Sequence, residues 1–497
     1  MTLPKDLADE RDRIRDQALD YGLRFFEVIY EVLDFHQMNE VASYMGFPTR
    51  YPHWRFGMEY ERMRKSYAYG LHRIYEMVIN NDPCYAYLLE SNSPVDQKIV
   101  MAHVYAHSDF FKNNLWFAHT NRKMMDEVAN HATRVRQFID RFGLEEVEEF
   151  IDTCLSLDNL IDLHASYVKR PSAENQRAAA DPDDEPQLPA RLPSKGYMDR
   201  FINPPEEMRK EARRLAEDAK SRKRKFPAEP QKDVLLFLLH HAPLDSWQQE
   251  ILSIIREEAY YFAPQGMTKI MNEGWASYWH TKIMTQSGVM EPTEVVDYAD
   301  HHSGTVAMSQ QRINPYKIGM ELFRDVEYRW NTGRFGKEYE ECDGRETKAR
   351  WDKQLGLGRE KIFDVRRIYN DVGFIDTFFT EDFCQRHKLF TYTFNERTGQ
   401  YEIESRAFQA IKQKLLFSLT NRGQPYIEVT DANFRNRGEL YLTHRHEGVD
   451  LQTNYSRDTL ANLYRLWTRP VHVDTLIEGS RRLLSYNGRD HASRKIG

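Results

Sequence analysis

Hydrophobic and polar residues alternate along most of this chain with the period of an α-helix. Apolar residues recur at steps of three and four from about residue 6 to residue 169, and again over residues 233–262 and 268–286. The segment from Leu23 to Leu33 is one such stretch, and we assign it to a helix. Pro264 separates the last two periodic segments, so we expect one helix to end before it and another to begin after it. The pattern predicts a mostly α-helical protein.

The periodicity changes near the C-terminus. After about residue 381, short alternating runs of β-branched and aromatic residues appear, separated by turn-forming residues. These runs predict a small C-terminal α+β domain that follows a large helical domain. The elements we expect there are hairpins at 389–394 with 400–403 and at 426–429 with 439–443, and helices at 406–420 and 456–467.

Composition divides the chain into four segments. Residues 1–169 form the N-terminal helical part of the core, and residues 231–380 continue it. Between them, residues 170–230 begin with a stretch rich in Pro, Ala, Asp and Glu, which supplies little apolar surface, and end with a charged helix over 206–225. We interpret 170–230 as a linker with a charged helix, and 381–497 as the C-terminal α+β domain.

Charge and cysteine content exclude several classes of function. The chain has 69 basic and 76 acidic side chains, a net charge of −7, so nucleic acid is not an expected partner. Its four cysteines are far apart and form no C-x-x-C pair. No apolar stretch approaches the roughly 20 residues that span a bilayer, and the charged N-terminus lacks the apolar region of a secretory signal. We expect a cytoplasmic protein with no integral membrane segment.

The segment with the clearest chemical content is MNEGWASYWH, residues 271–280. Glu273 and His280 are seven residues apart, close to two helical turns, so both project from one face of a helix. Trp275 and Trp279 lie on a neighbouring face and favour burial, and Gly274 allows another backbone to come close. A polar stripe on a buried helix requires partners.

A second helix offers those partners. His103 and His107 are at positions i and i+4 of a segment that begins after Ser93-Pro94, and this spacing holds a metal ion from one helix in many zinc enzymes. Together with Glu273 they would complete the His₂Glu ligand set of catalytic zinc sites. His280 is then a fourth ligand, a proton shuttle or an oxyanion donor, and His302 is a candidate additional ligand.

Spacing leaves an alternative open. The same histidines can be hydrogen-bonded core residues, with Glu273 as the buried ion-pair partner of an arginine such as Arg256. Val104 also occupies the position at which an H-E-x-x-H peptidase carries its water-activating glutamate, which disfavours a conventional peptidase. The base must then come from elsewhere, and the candidates are Glu257, Glu258 or Glu273 itself.

Long, unusual words of sequence resemble the SpoVR family, stage V sporulation protein R and its relatives. They include the segments that contain His103, His107, Glu273 and His280. The matching words are RYPHWRFG at 50–57, EMVINNDPCYAYLL at 76–89, VMAHVYAHSDFFKNN at 100–114, APL with WQ at 242–248, YFAPQ at 261–265, NEGWA with WH at 272–280 and INPY at 313–316.

The resemblance implies a role in spore cortex formation, or in stress and starvation in bacteria that form no spores. It also implies as partners a PrkA-type serine protein kinase and its associated von Willebrand-like protein. The E-G-W-A word is similar to the third-ligand helix of some zinc metallopeptidases, which implies a zincin-like pair of helices in the core. The family brings no settled reaction.

Two hypotheses follow. The first is a protein that binds a divalent metal, preferably zinc, through His103, His107 and Glu273, and that hydrolyses an amide or related bond in cortex or cell-wall metabolism. The second is a non-catalytic scaffold or regulatory protein that acts with the PrkA-type kinase system. The first requires the three side chains to converge to within about 4–5 Å of one another, given ligand distances near 2 Å.

Overall fold

The computed structural model describes residues 3–68, 76–168, 193, 198–307 and 314–496. The chain forms two compact units. The first unit consists of residues 1–144 and 260–423, and the second of residues 145–259 and 424–497. Most of the linker expected from composition, residues 170–196, lies outside the described residues. The segment boundaries predicted at 169, 230 and 380 stay predictions.

The first unit is mostly helical, as the periodicity predicts, and one large apolar core runs through it. Its α-helices are Lys5–Asp20, Phe35–Ser43, Trp54–Ala68, Pro94–Asn113, Met124–Phe142, Lys269–Gln286, Val295–Thr305, Pro315–Thr332, Gly336–Glu340, Arg345–Ala349, Gly358–Ile368, Asp371–Phe378, Glu381–Arg386 and Phe408–Leu419.

A small sheet in this unit corrects one prediction. The segment from Leu23 to Leu33 contains a strand, β1 (Val28–Leu33), where we expected a helix. β1 pairs in parallel with β3 (Cys84–Leu89), which pairs antiparallel with β2 (Glu76–Ile79). The sequence VIYEVL is rich in β-branched residues, which favour a strand. Pairing with a largely buried strand satisfies the hydrogen bonds of its backbone. The segment is therefore a strand, although the spacing of its apolar residues also suits a helix.

Three helices of the first unit position the residues of interest. We call Pro94–Asn113 the histidine helix, Lys269–Gln286 the glutamate helix and Pro315–Thr332 the crossing helix. The histidine helix begins where the sequence predicts. Ser93 accepts a hydrogen bond from the backbone N–H of Asp96, the Asp96 side chain accepts one from the N–H of Ser93, and Pro94 takes the first helical position.

The glutamate helix begins without a capping side chain of its own. Thr268 precedes its first turn and makes no capping bond. Asp371, 100 residues later, does so instead, since its carboxylate accepts hydrogen bonds from the backbone N–H groups of Ile270 at 2.8 Å and Met271 at 2.9 Å. A residue remote in sequence therefore holds the first turn of the helix that carries Glu273.

The glutamate and crossing helices touch backbone to backbone. A Cβ atom added to Gly274 would lie 2.4 Å from the Cα of Gly319, and one added to Gly319 would lie 2.1 Å from the carbonyl oxygen of Ile270. Both positions therefore require glycine. This close crossing confirms the expectation that Gly274 admits a neighbouring backbone.

Pro264 does not separate two helices as predicted. The helix Ser246–Met267 continues through it and ends three residues later. A proline within a helix loses one backbone hydrogen bond. Here it lies in the last turn of the helix. The bond that it removes would have gone to the carbonyl oxygen of Tyr260, whereas its own carbonyl oxygen accepts a hydrogen bond from the hydroxyl of Thr268 at 2.7 Å.

The C-terminal hairpins form where the alternation predicts them. In the first unit, β4 (Thr391–Asn395) pairs antiparallel with β5 (Gln400–Ser405). In the second unit, β6 (Tyr426–Phe434) pairs antiparallel with β7 (Glu439–Arg445). The predicted helices also form, as Phe408–Leu419 and Thr453–Trp467.

The second unit contains a five-stranded sheet in the order β10-β9-β8-β7-β6. The prediction missed its last three strands, β8 (Val471–Ile477), β9 (Ser480–Tyr486) and β10 (His491–Lys495). The charged helix predicted at 206–225 forms as Pro205–Arg224. None of the described helices combines the length and the hydropathy needed to cross a lipid bilayer. The further helices of this unit are Leu144–Leu155, Asp199–Ile202, Val234–His241 and Ser246–Met267.

Candidate metal centre

The structure brings His103, His107 and Glu273 together. One nitrogen from each imidazole and one oxygen of the carboxylate all lie within 4.8 Å of one another. The Oε2 atom of Glu273 is 3.6 Å from Nε2 of His103 and 3.5 Å from Nε2 of His107. The two histidine side chains are 5% and 6% exposed and the carboxylate 17%, so the cluster is almost shielded from water.

Asn272 determines which nitrogen of His107 carries the proton. The Nδ1 atom of His107 is 2.9 Å from the amide oxygen of Asn272, and that oxygen can only accept. His107 is therefore protonated at Nδ1, and the lone pair of Nε2 is directed towards Glu273. Burial, followed by the charge of His103, lowers the pKa of His107 to about 4, so its ring is neutral at pH 7.

His280 lies behind His103 and not beside Glu273. The Nδ1 atoms of the two rings are 3.0 Å apart, so one donates and the other accepts. When His103 donates, its Nε2 also presents a lone pair to the carboxylate. Burial, and then the charge of His103, lowers the pKa of His280 well below its ordinary value.

His302 continues this line of imidazoles. Its Nδ1 atom is 3.5 Å from Nε2 of His280. It does not join the group formed by His103, His107 and Glu273, and its contact with His280 links it to that group. Burial, and then the charge of Arg324, lowers the pKa of His302, so its ring is uncharged at neutral pH.

Glu273 is ionised but has an unsatisfied oxygen. Burial raises its pKa, yet interactions with His103 and the charge of His107 outweigh burial, and the pKa lies below the ordinary value. Its Oε2 atom is buried and accepts no hydrogen bond from any of the residues that the structure describes. A buried carboxylate oxygen that faces two imidazole nitrogens without a shared proton is costly, and a cation between the three atoms removes that cost.

Two residues that the sequence did not single out lie within electrostatic reach of the cluster. The ring of Tyr316 stacks on that of His103 with their centroids 6.1 Å apart, and burial, followed by the charges of Glu273 and Glu76, raises the pKa of its phenol. Glu76, at the start of β2, interacts electrostatically with His103 and Glu273, and burial raises its pKa. Glu76 and Tyr316 lie in the family words at 76–89 and 313–316. The resemblance to the family therefore pointed to these two residues, whereas helical spacing did not.

Asp109 connects the histidine and glutamate helices below the cluster. Its carboxylate accepts a hydrogen bond from the indole N–H of Trp275 at 2.9 Å and one from the backbone N–H of Arg24 at 2.7 Å. Arg366 lies 3.4 Å from the same carboxylate. Burial raises the pKa of Asp109 to about 6, against the opposing effect of Arg366. This buried contact sets the spacing between the helices that carry the cluster.

The remaining candidate bases share one helix. Glu257 is exposed and Glu258 is buried, and both are on the helix Ser246–Met267. Their role as bases stays a prediction. Arg256, the arginine considered as a partner of Glu273, forms an ion pair with Asp233 at 2.7 Å.

The fold and the cluster describe a mostly helical protein whose core contains a buried group of histidines and a carboxylate. The family model described as "SpoVR like protein" matches residues 2–424, and the model described as "SpoVR-like C-terminal domain" matches residues 425–478. The chain belongs to the SpoVR family.

A relative supports this assignment along nearly the whole chain. The protein described as "Uncharacterized protein YcgB" from Escherichia coli (strain K12) is 29% identical over 507 aligned positions, which cover 96% of this chain and 92% of the relative. No solved structure matches the chain.

Proposed function

We propose that this chain is a divalent-metal protein, with zinc the preferred ion, in which His103, His107 and Glu273 are the ligands, held by a zincin-like pair of helices. The observation that carries the proposal is the convergence of two imidazole Nε2 atoms on a buried carboxylate oxygen that has no hydrogen-bond donor among the described residues.

The separations between the donor atoms support the proposal. Ligand atoms arranged tetrahedrally around zinc, each about 2.0–2.1 Å from the metal, lie about 3.3–3.4 Å from one another. The two separations that involve Glu273 are 3.6 and 3.5 Å, and all three ligand atoms lie within 4.8 Å of one another. Two neutral imidazoles and one carboxylate are also the donor set of catalytic zinc sites.

The groups behind the ligands support it further. In metal sites the second nitrogen of a ligand histidine usually hydrogen-bonds to a carbonyl, a carboxylate or water, which fixes the tautomer and the ring. Asn272 holds His107 in this way, and His280 occupies the corresponding position for His103. We therefore propose that His280 positions the ring of His103, and that His302 in turn positions the ring of His280.

The reaction we propose is hydrolysis of an amide or related bond. The oxygen of one water adds to the carbonyl carbon, the C–N bond breaks, and the leaving nitrogen receives a proton. A divalent ion at this site supplies Lewis acidity. Val104 leaves the histidine helix without a base, and we propose that Glu76 removes the proton from water because it interacts with both His103 and Glu273. Glu257, Glu258 and Glu273 itself stay alternatives.

The family assignment provides the biological setting of the proposal. We propose a role in spore cortex formation or in the response to stress and starvation, with cortex or cell-wall precursors as substrates. The rival proposal is a non-catalytic scaffold that acts with a PrkA-type serine kinase and its von Willebrand-like partner. In that case the imidazoles and Glu273 are structural.

Metal analysis separates these proposals. The purified protein, dialysed against metal-free buffer and loaded with Zn²⁺, should retain one ion per chain, and His103→Ala or Glu273→Ala should lose it while keeping the helical circular dichroism spectrum. His36→Ala is the matched control, since it removes an imidazole outside the cluster. Wild-type protein that retains no metal would refute the metal site.

Turnover is a separate measurement. Metal-loaded protein is incubated with purified cortex peptidoglycan and its soluble precursors, and newly released amines are quantified. Release that depends on Glu76 and Glu273 supports hydrolysis. A metal-loaded protein that releases no amine from either substrate contradicts the proposed hydrolysis and favours the scaffold.

A further inference from the structure

A second feature of the first unit is a cavity of about 840 Å³. It is within the size range of sites that enclose small organic molecules. Part of its wall comes from Lys269 and Ile270 on the glutamate helix and from Pro315 and Ile318 on the crossing helix. Glu273 follows Lys269 by one helical turn, so the two side chains share a face.

The cavity has an apolar wall and a cationic rim. Its buried lining residues include Ile270, Ile318, Leu389, Ile411 and Leu415. Its exposed lining residues include four cations, and Asp371 is the acidic residue that also lines it. Those four cations are Lys269, Lys388, Lys414 and Arg422.

Three of these cations have no partner for their charged groups. Lys414 forms an ion pair with Glu404 at 2.8 Å. Within the part of the chain that the structure describes, no hydrogen bond or salt bridge engages the charged groups of Lys269, Lys388 or Arg422. The charge of Lys269 instead lowers the pKa of Glu273, which places it within electrostatic reach of the cluster.

The backbone holds two of these cations at a cost. Lys388 has φ of 51° and Arg422 has φ of 58°, both in the left-handed region that residues with side chains seldom adopt. Arg422 also packs directly on Gly266, where an added Cβ would lie 2.5 Å from its Nε atom.

We propose that this cavity binds an amphipathic anion, an apolar chain or ring that carries a carboxylate or a phosphate, and presents it to the cluster of His103, His107 and Glu273. Lys388 and Arg422 bind the anionic group, and the buried aliphatic side chains contact the apolar body. Binding follows from the cavity itself, whereas presentation to the cluster rests on the proposed function.

Calorimetric titration of the full-length protein tests the binding. The probes are dodecanoate and dodecyl phosphate below their micelle concentrations, with dodecyltrimethylammonium as the chain-matched cation and inorganic phosphate as the head group alone. Both anionic amphiphiles should bind, more weakly as salt concentration rises, and the other two should not. The stronger of the two anions identifies the preferred head group. Equal binding of the cationic amphiphile would overturn the proposal.

Two kinds of variant locate the site. The double variant Lys388→Gln/Arg422→Gln should bind the anions about tenfold more weakly, since it removes two charge-assisted contacts. Lys337→Gln, an exposed cation outside the cavity, is the matched control. Ser418→Trp, at an exposed lining position, should fill the cavity and abolish binding. Wild-type affinity in either cavity variant would overturn the proposal.

The two proposals fail independently. Metal content of the cavity variants should equal that of the wild type, and Glu273→Ala should lose metal but still bind dodecanoate. Bound metal without amphiphile binding contradicts the cavity proposal alone. Bound amphiphile without metal contradicts the proposed function alone.

Discussion

Replacing Gly274 with alanine tests the packing that positions Glu273. Gly274 faces Gly319 across the close crossing of the glutamate and crossing helices, and its added Cβ would lie 2.4 Å from both the Cα and the carbonyl carbon of Gly319. Ordinary contacts of a Cβ begin at 3.4 Å, so the helices must separate locally by 3.4 − 2.4 = 1.0 Å. The neighbouring atoms belong to the backbone of Gly319, so they cannot rotate away as side-chain atoms can.

The energetic cost follows from this displacement. Overpacking a well-packed core costs about 1–3 kcal/mol, and a clash with backbone belongs at the upper end of that range. Alanine offsets up to about 1 kcal/mol of this cost, because its helix propensity is higher than that of glycine. The free energy of unfolding should therefore fall by about 2 kcal/mol. Because Glu273 is the adjacent residue, the same displacement should weaken metal retention at the proposed site.

Urea unfolding followed by tryptophan fluorescence measures the effect, since Trp275 and Trp279 are on the same helix. Gly57→Ala is the matched control, because Gly57 is helical and exposed and has no neighbour within 4 Å of an added Cβ. It should raise stability by about 0.5–1 kcal/mol. If Gly274→Ala unfolds at the same urea concentration as the wild type or a higher one, the close crossing is refuted.

Three further predictions concern single side chains. Asn272→Leu should reduce zinc affinity about 10–100-fold in competition with a chelator without unfolding the protein, and unchanged affinity would show that Asn272 does not hold His107. Asp371→Ala should lower thermal stability by about 0.5–2 kcal/mol, because the first turn of the glutamate helix loses its cap, and Asp376→Ala, exposed on the same helix as Asp371, is its control. In the second unit, burial raises the pKa of Asp474, but hydrogen bonds from Arg481 and Tyr441 outweigh it and hold the pKa below its ordinary value. The stability that Asp474 contributes is therefore present above about pH 4 and is lost as the pH falls through its folded pKa, so Asp474→Asn should destabilise the protein more at pH 7 than at pH 3. An equal effect at both pH values would contradict this assignment.

The helices that carry the cluster were predictable because their signals are local. A capping box and a proline at the first position mark the start of the histidine helix, and the spacing of four residues places His103 and His107 on one face. The terminal hairpins likewise follow from alternation and turn residues. These features depend on neighbours within a few residues, so one sequence is sufficient to find them.

The predictions that were wrong or incomplete concern features that the local sequence pattern does not determine. The strand Val28–Leu33 forms because Cys84–Leu89, about 50 residues later, pairs with it in parallel. The helix Ser246–Met267 continues through Pro264, contrary to the expected break. The strands after residue 471 were missed although β8 is buried and pairs with β7. For the two strands, a partner strand satisfies the backbone in a way that periodicity does not encode.

The candidate site divides in the same way. The sequence by itself determined which residue types share a helical face and that Val104 removes the usual peptidase base. Only the tertiary structure placed His103, His107 and Glu273 within 4.8 Å of one another and set His280 behind His103. The family words at 76–89 and 313–316 contained Glu76 and Tyr316, but only the fold brought these two residues to the cluster. The physical reason is that Asp371, the Gly274–Gly319 crossing and the contact between Trp275 and Asp109 fix the spacing of these helices, and each joins residues remote in sequence.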